Sequence, residues 1–168
     1  EEEKQNKNAY TGIYEGKNII AIHAESIQNF VIGLKINGQE VTPNLNKLAG
    51  SGLYFDNFYS QVSVGTSSDS EFTFSTSLMP SNSGTAFGSY YDRSYVTTQK
   101  LLKEKGYYTF SMHGNNADYW NRRIMYESIG YDEFYSKVDY EIDEVIGLGI
   151  SDKSFFRQSV EKIKTINE

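Results

Sequence analysis

The sequence predicts an α/β domain, with a mainly parallel sheet flanked by helices. Three observations lead there. Short apolar runs such as "NIIAIHA" (18–24) are nearly continuous rather than alternating, as in strands buried on both faces. Along the chain they alternate with amphipathic segments that end in glycine. Polar residues cluster where the runs stop, and open parallel sheets bind ligands beyond the carboxyl ends of their strands.

Taken in order, residues 1–16 open on "EEEKQNKN" and read as a polar leader or linker, with the domain over 17–168. "NIIAIHA" is the first strand, and Glu25 follows it directly. His23 lies inside that run and reads as structural. "KINGQEV" (35–41) carries the Asn-Gly pair of a tight hairpin. "TPNLNKLAGSG" (42–52) reads as a helix with Thr42 as N-cap, Pro43 in the first turn, and Gly50 and Gly52 at its exit. "LYFDNFYSQ" (53–61) is a second strand, and a loop of small hydroxyl residues follows. "DSEFTFSTSLM" (69–79) predicts a helix whose dipole Asp69 or Ser70 complements. "SYVTTQKLLKEKG" (94–106) is an amphipathic helix closed by Gly106, and "YYTFSMHG" (107–114) a third strand. "YWNRRIMYESIG" (119–130) is a helix ending at Gly130. The last, over 151–166, sets Phe155, Phe156, Val160, Ile163 and Ile166 on one core-facing stripe.

Composition excludes several classes. With 38% hydrophobic and 15% aromatic residues among 168, the chain can build a core, and its 14 Tyr and 10 Phe make aromatic packing dominant there. A net charge of −6 without a basic cluster rules out nucleic acid as a partner. The absence of cysteine removes disulfides, thiolate metal sites and thiol catalysis. No apolar run approaches the roughly 20 residues that span a bilayer, and the polar start is no signal peptide.

Three polar groups fall at the predicted carboxyl edge of the sheet: Glu25, the 65–71 loop and His113. A carboxylate is a hard ligand for Mg²⁺ or Mn²⁺. A metal lowers the pKa of a hydroxyl beside it, and a helix N-terminus favours the charge of a phosphoryl group. Together they suit metal-assisted phosphoryl chemistry. The plainer reading makes Thr66 and Ser67 cap residues, Glu25 a solvated carboxylate, and Asp69 and Glu71 first-turn carboxylates with no catalytic role.

In that order, "NIIAIHAESIQNF", "TPNLNKLAGSGLYFDNFYSQ", "GTSSDSEF" and "SMHGNNADYWNRRIMYESIGYDEFY" resemble the lipoteichoic acid synthases, phosphoglycerol transferases of the sulfatase and alkaline phosphatase superfamily. The resemblance covers roughly residues 18–160. It implies an extracellular enzyme, anchored in the membrane by upstream helices, that uses Mn²⁺ or Mg²⁺. Such an enzyme takes glycerol phosphate from phosphatidylglycerol through a covalent intermediate and adds it to a growing glycerol phosphate polymer. By position, Glu25 matches the metal-binding glutamate, and His113, Trp120 and Arg122 match residues that bind the head group. The family pattern Lys-Thr-Ser-Asp-Ser-Glu-Phe aligns without a gap on "TSSDSEF", which makes Ser67 the nucleophile and a metal ligand, with Thr66 in the lysine position. A shift of one residue makes Thr66 the nucleophile; the unbroken "SDSEF" frame favours Ser67. Asn115 stands where the family often has aspartate, so a charged role there is in doubt.

The family's metal site also uses an Asp-His pair and a further histidine, whereas this chain has only His23 and His113. The expectation is therefore the truncated, N-terminal portion of the catalytic domain, with an incomplete metal-ligand set and no activity of its own. An exposed sheet edge in such a portion would favour self-association. The alternatives are a phosphoethanolamine transferase or sulfatase-like hydrolase on the same scaffold, or a non-catalytic module that binds a cell-wall polymer. The hydroxyl loop lacks the Pro and Arg of a sulfatase motif, which argues against the hydrolase.

Overall fold

A computed structural model describes residues 7–166. The chain divides after Gly52 into two compact units, each described by itself.

In the first unit, β1 (Lys35–Ile36) and β2 (Gln39–Glu40) pair antiparallel, Lys35 opposite Glu40. The turn between them is Asn37-Gly38, both at positive φ (51° and 80°), as a two-residue hairpin of this twist requires. Helix α1 (Pro43–Ser51) starts with proline, but Thr42 does not cap it. The Thr42 hydroxyl instead donates to the Val31 carbonyl and to Asn46 Oδ1, so it ties the helix to the preceding turn. The predicted strand over 18–24 is not formed, and these residues lie outside any helix or strand and are exposed. A strand exists only through a ladder partner, and among the described residues this run has none. The described part of the leader, from residue 7, forms successive turns rather than a featureless linker.

The second unit holds the core. The predicted strand over 53–61 is also unladdered, with Phe58 86% exposed. Helix α2 (Ser67–Thr76) follows the hydroxyl loop, then the short α3 (Ala86–Ser89) and α4 (Thr98–Lys103). Thr97 caps α4 by accepting from the Lys100 N–H, while its own hydroxyl donates to the Ile129 carbonyl. Strand β3 (Phe110–Met112) pairs in parallel with β4 (Glu133–Tyr135), Ser111 opposite Phe134. Between them the chain crosses over through α5 (Arg122–Ile129), the β-α-β connection expected of an α/β fold. Gly130 ends α5 at φ 98°, in the left-handed region that glycine adopts at low cost. The hairpin β5 (Val145–Ile146) and β6 (Gly149–Ile150) leads into α6 (Asp152–Ile166).

Phe72, Ala86, Phe87, Met125, Tyr126 and Ile129 form the buried centre, flanked by Tyr95, Trp120, Tyr131 and Phe134. The aromatics meet edge to face, with Tyr126 4.6 Å from Phe134 and Phe72 5.3 Å from Tyr95 between ring centres. The stripe predicted on α6 is rotated: Phe156 and Val160 are exposed, whereas Ser154 and Ser159 are buried beside Phe155. Small hydroxyls let that face approach closely, and each finds a partner, Ser154 on Asp143 and Ser159 on Tyr140.

Candidate active site

Helix α2 organises the candidate site in the second unit. Its N-cap is Thr66, exposed and at φ 44°, ψ −109°, a conformation that a β-branched residue adopts only under strain. The Thr66 side chain makes no capping hydrogen bond. Ser67, the first helical residue, is only 8% exposed. Ser68 and Asp69 are fully buried. Asp69 is a first-turn carboxylate as the sequence predicts, but a buried one: its Oδ2 accepts from the backbone N–H groups of Ser63 (2.9 Å) and Gly65 (3.0 Å).

Two residues further along α2, Glu71 departs from expectation. Its carboxylate receives Arg122 Nη2 at 2.6 Å, Arg122 Nε at 3.2 Å to both oxygens, and the Tyr126 hydroxyl at 2.7 Å. The Arg122 guanidinium is 3% exposed and also donates from Nη1 to the Tyr119 carbonyl. Burial pulls the guanidinium pKa down, but the hydrogen bond and charge of Glu71 outweigh it and the net shift is upward. Burial, reinforced by the Glu71 charge, pushes the Tyr126 phenol well above its ordinary value.

His113 lies just past β3. Its N–H donates to the Tyr135 carbonyl at 2.9 Å, and its Nδ1 accepts from the Asn115 N–H at 3.3 Å. Asn115 in turn accepts from Asn116 N–H through its side chain and from Lys137 N–H through its carbonyl. Trp120 is half-buried against the aromatic core, at φ 57°. Of the residues singled out, the structure thus sets Thr66 and Ser67 at the start of α2, couples Arg122 to that helix through Glu71, and sets His113 and Asn115 at the carboxyl end of β3. Glu25 belongs to the first unit, in an exposed turn beside Ser26 at φ 62°. Among the described residues no group of three or more His, Cys, Asp or Glu lies together to hold a metal ion. The Glu25 carboxylate is nevertheless a hard oxygen donor of the kind Mn²⁺ and Mg²⁺ take.

Asp69 and Glu71 are what sequence reasoning missed. A signal for the first was present: Thr66-x-x-Asp69 has capping-box spacing, in which the acid reaches back to the N-cap backbone. Here the carboxylate reaches further, to residues 63 and 65.

Comparison with known proteins places this crossover α/β unit, with its hydroxyls at a helix start, in the fold class of the sulfatase and alkaline phosphatase superfamily. The sulfatase family matches residues 17–168, and the chain belongs to that family. Lipoteichoic acid synthase 1 of Bacillus subtilis is 41% identical over 165 residues, covering 95% of this chain and 26% of that protein. Lipoteichoic acid synthase of Staphylococcus aureus is 43% identical over 156 residues, covering 89% and 24% respectively. The crystal structure of the lipoteichoic acid synthase LtaP from Listeria monocytogenes superposes with a TM-score of 0.80 at 31% identity, over 83% of this chain and 34% of that one. An alkaline phosphatase superfamily protein from Vibrio parahaemolyticus gives a TM-score of 0.65 at 25% identity, over 74% and 30%. The chain spans about a quarter of the length of the curated relatives.

Proposed function

We propose that this chain carries the nucleophile of a phosphoglycerol transferase of the lipoteichoic acid synthase kind, and that the nucleophile is Thr66. The observation that supports it is the turn before α2. Thr66 presents an exposed hydroxyl that caps nothing, on a strained backbone, at the start of a ten-residue helix, while Ser67 is buried. Strain of that kind costs roughly 1–3 kcal/mol, persists only where the surrounding structure over-determines it, and clusters at active sites. This reading moves the nucleophile one residue from the gapless alignment.

In the first step the Thr66 Oγ attacks the phosphorus of phosphatidylglycerol. The Oγ–P bond forms as the bond from phosphorus to the diacylglycerol oxygen breaks, and the hydroxyl proton ends on diacylglycerol. A terminal hydroxyl of the glycerol phosphate polymer then attacks the same phosphorus, and Thr66 regains its proton. The positive end of the α2 dipole favours a negative phosphoryl group at Thr66. His113 and Asn115 contact the head group and Trp120 flanks it. Arg122 has two N–H groups left beyond those given to Glu71 and Tyr119, enough for one phosphate oxygen. Glu25 is the residue that would contribute a carboxylate to the divalent ion, Mn²⁺ or Mg²⁺. When bound, that ion lowers the hydroxyl pKa and neutralises phosphoryl charge. The substrate class places the reaction at the outer face of the cell membrane, with anchoring by segments outside this stretch. Among the described residues no helix is long and apolar enough to cross a membrane.

The test is diacylglycerol release from phosphatidylglycerol vesicles by the full-length protein. Thr66→Ala is expected to lower kcat by at least ~10³-fold, while Ser67→Ala stays within about tenfold of the parent. The reverse pattern restores the gapless frame and Ser67. If neither substitution matters, the chain is a binding module.

A further inference from the structure

We propose that Asp69 is the positioning residue that holds Thr66 in its attacking conformation, and that Gly65 is glycine to let it do so. The proposal rests on the reading of Thr66 as nucleophile.

The argument begins with a carboxylate where water cannot reach it. Asp69 is 0% exposed. Burying an ionised carboxylate is costly unless donors surround it. Here the donors are two backbone N–H groups on one oxygen, from Ser63 and Gly65, at the positive end of α2. The other oxygen, Oδ1, is buried with no hydrogen-bond partner among the described residues. A residue serving only the helix dipole would sit in solvent, where both oxygens are satisfied at no cost.

What this arrangement fixes is the peptide before the nucleophile. The Gly65 N–H is held by Asp69 Oδ2 at 3.0 Å, and the Gly65 carbonyl accepts from Ser68 Oγ at 2.7 Å. With both ends pinned, the next residue has little freedom, and Thr66 is left at φ 44° with its side chain outward. The close approach is possible only without a side chain at position 65. A Cβ there would lie 2.3 Å from Asp69 Oδ1, 2.6 Å from its Cγ and 2.9 Å from Ser68 Oγ. Gly65 is not at positive φ, so its need for glycine is steric and specific to this carboxylate. Asp69 touches no reacting atom; it acts through the backbone of the turn.

The experiment is steady-state transfer from phosphatidylglycerol vesicles by the full-length protein, with kcat and KM separated. Asp69→Ala is expected to lower kcat by ~10²-fold, the scale of a misplaced reacting group, with KM changed by no more than about twofold. Asp69→Asn keeps an oxygen for both N–H groups and is expected to recover at least about a tenth of parental kcat. Gly65→Ala displaces the carboxylate and is expected to reproduce the Asp69→Ala loss. Combining the two substitutions adds little further, because removing the carboxylate removes the two shortest contacts and leaves only the Ser68 hydroxyl at 2.9 Å. A kcat for Asp69→Ala within about threefold of the parent overturns the proposal, as does a loss confined to KM, or losses that multiply in the double variant. If Asp69→Ala shows no cooperative unfolding transition, Asp69→Asn decides. Recovery to the stated level supports positioning, and a kcat below about a hundredth of the parent overturns it. A fully active Thr66→Ala refutes the functional reading itself, whereas an inactive Thr66→Ala beside an active Asp69→Ala sinks only the role of Asp69.

Discussion

Removing the Glu71 carboxylate tests whether the helix that bears the hydroxyl is fastened to the rest of the unit by charge. In Glu71→Ala, Arg122 loses the acceptor for Nε and Nη2, and Tyr126 loses the acceptor for its hydroxyl. The guanidinium stays buried at 3% exposure with only the Tyr119 carbonyl on Nη1. Breaking one side of a buried ion pair costs ~3–5 kcal/mol, far more than the pair contributes over an apolar replacement. Glu71 is itself 17% exposed, so water can enter the vacated space, which favours the lower end, about 3 kcal/mol. At about 2–4 °C per kcal/mol for a chain of this size, the unfolding midpoint should fall by about 6–12 °C in a calorimetric or circular dichroism melt. Tyr126→Phe removes a single donor and should cost only about 1 kcal/mol. Glu71→Leu combined with Arg122→Met removes both charges and should recover most of the loss. A fall of less than about 2 °C in Glu71→Ala would falsify the claim that this pair is desolvated in the protein.

Two further outcomes follow from the same structure. Burial raises the phenols of Tyr126, Tyr131 and Tyr140 above their ordinary value. A group whose folded pKa is raised contributes stability that is complete below its unfolded pKa, near 10, and lost as pH climbs through the folded value. Urea midpoints should therefore hold level up to about pH 9 and drop above about pH 10, with these phenols ionising later than ordinary tyrosines in a titration followed by tyrosinate absorbance. A midpoint unchanged to pH 11 would count against their burial. For the metal, isothermal calorimetry of the 168-residue chain with Mn²⁺ should show binding no tighter than about millimolar, because among the described residues no three His, Cys, Asp or Glu lie together to hold it. Tight binding that vanishes in Glu25→Ala would mean that these residues complete a site by themselves.

What could be read in the sequence was local, and what could not was long-range. The Asn37-Gly38 turn and the glycine exits at Gly106 and Gly130 follow from backbone permissiveness at single residues, and each is at positive φ as required. The runs at 18–24 and 53–61 have strand composition, yet composition supplies no ladder partner, and among the described residues neither run joins a sheet. The hydroxyl loop was legible as a candidate site because of residue type, but residue type cannot tell Thr66 from Ser67. That distinction depends on which side chain the turn buries, and the turn is set by a carboxylate two and three residues on from them. Glu71 and Arg122 are 51 residues apart, so nothing in either neighbourhood announces that they meet. The consequence for the chemistry is specific. An arginine chosen by motif as a ligand for phosphate is also half of a buried pair, so its substitution perturbs folding and head-group contact together. Only a variant at Glu71, which touches no substrate in the proposed mechanism, separates the two: it leaves the Arg122 charge present and removes its anchor. A rise in KM for Glu71→Gln with kcat unchanged would assign the anchored guanidinium to uniform binding of the head group. An equal fall in kcat and kcat/KM would assign it to the phosphoryl transition state.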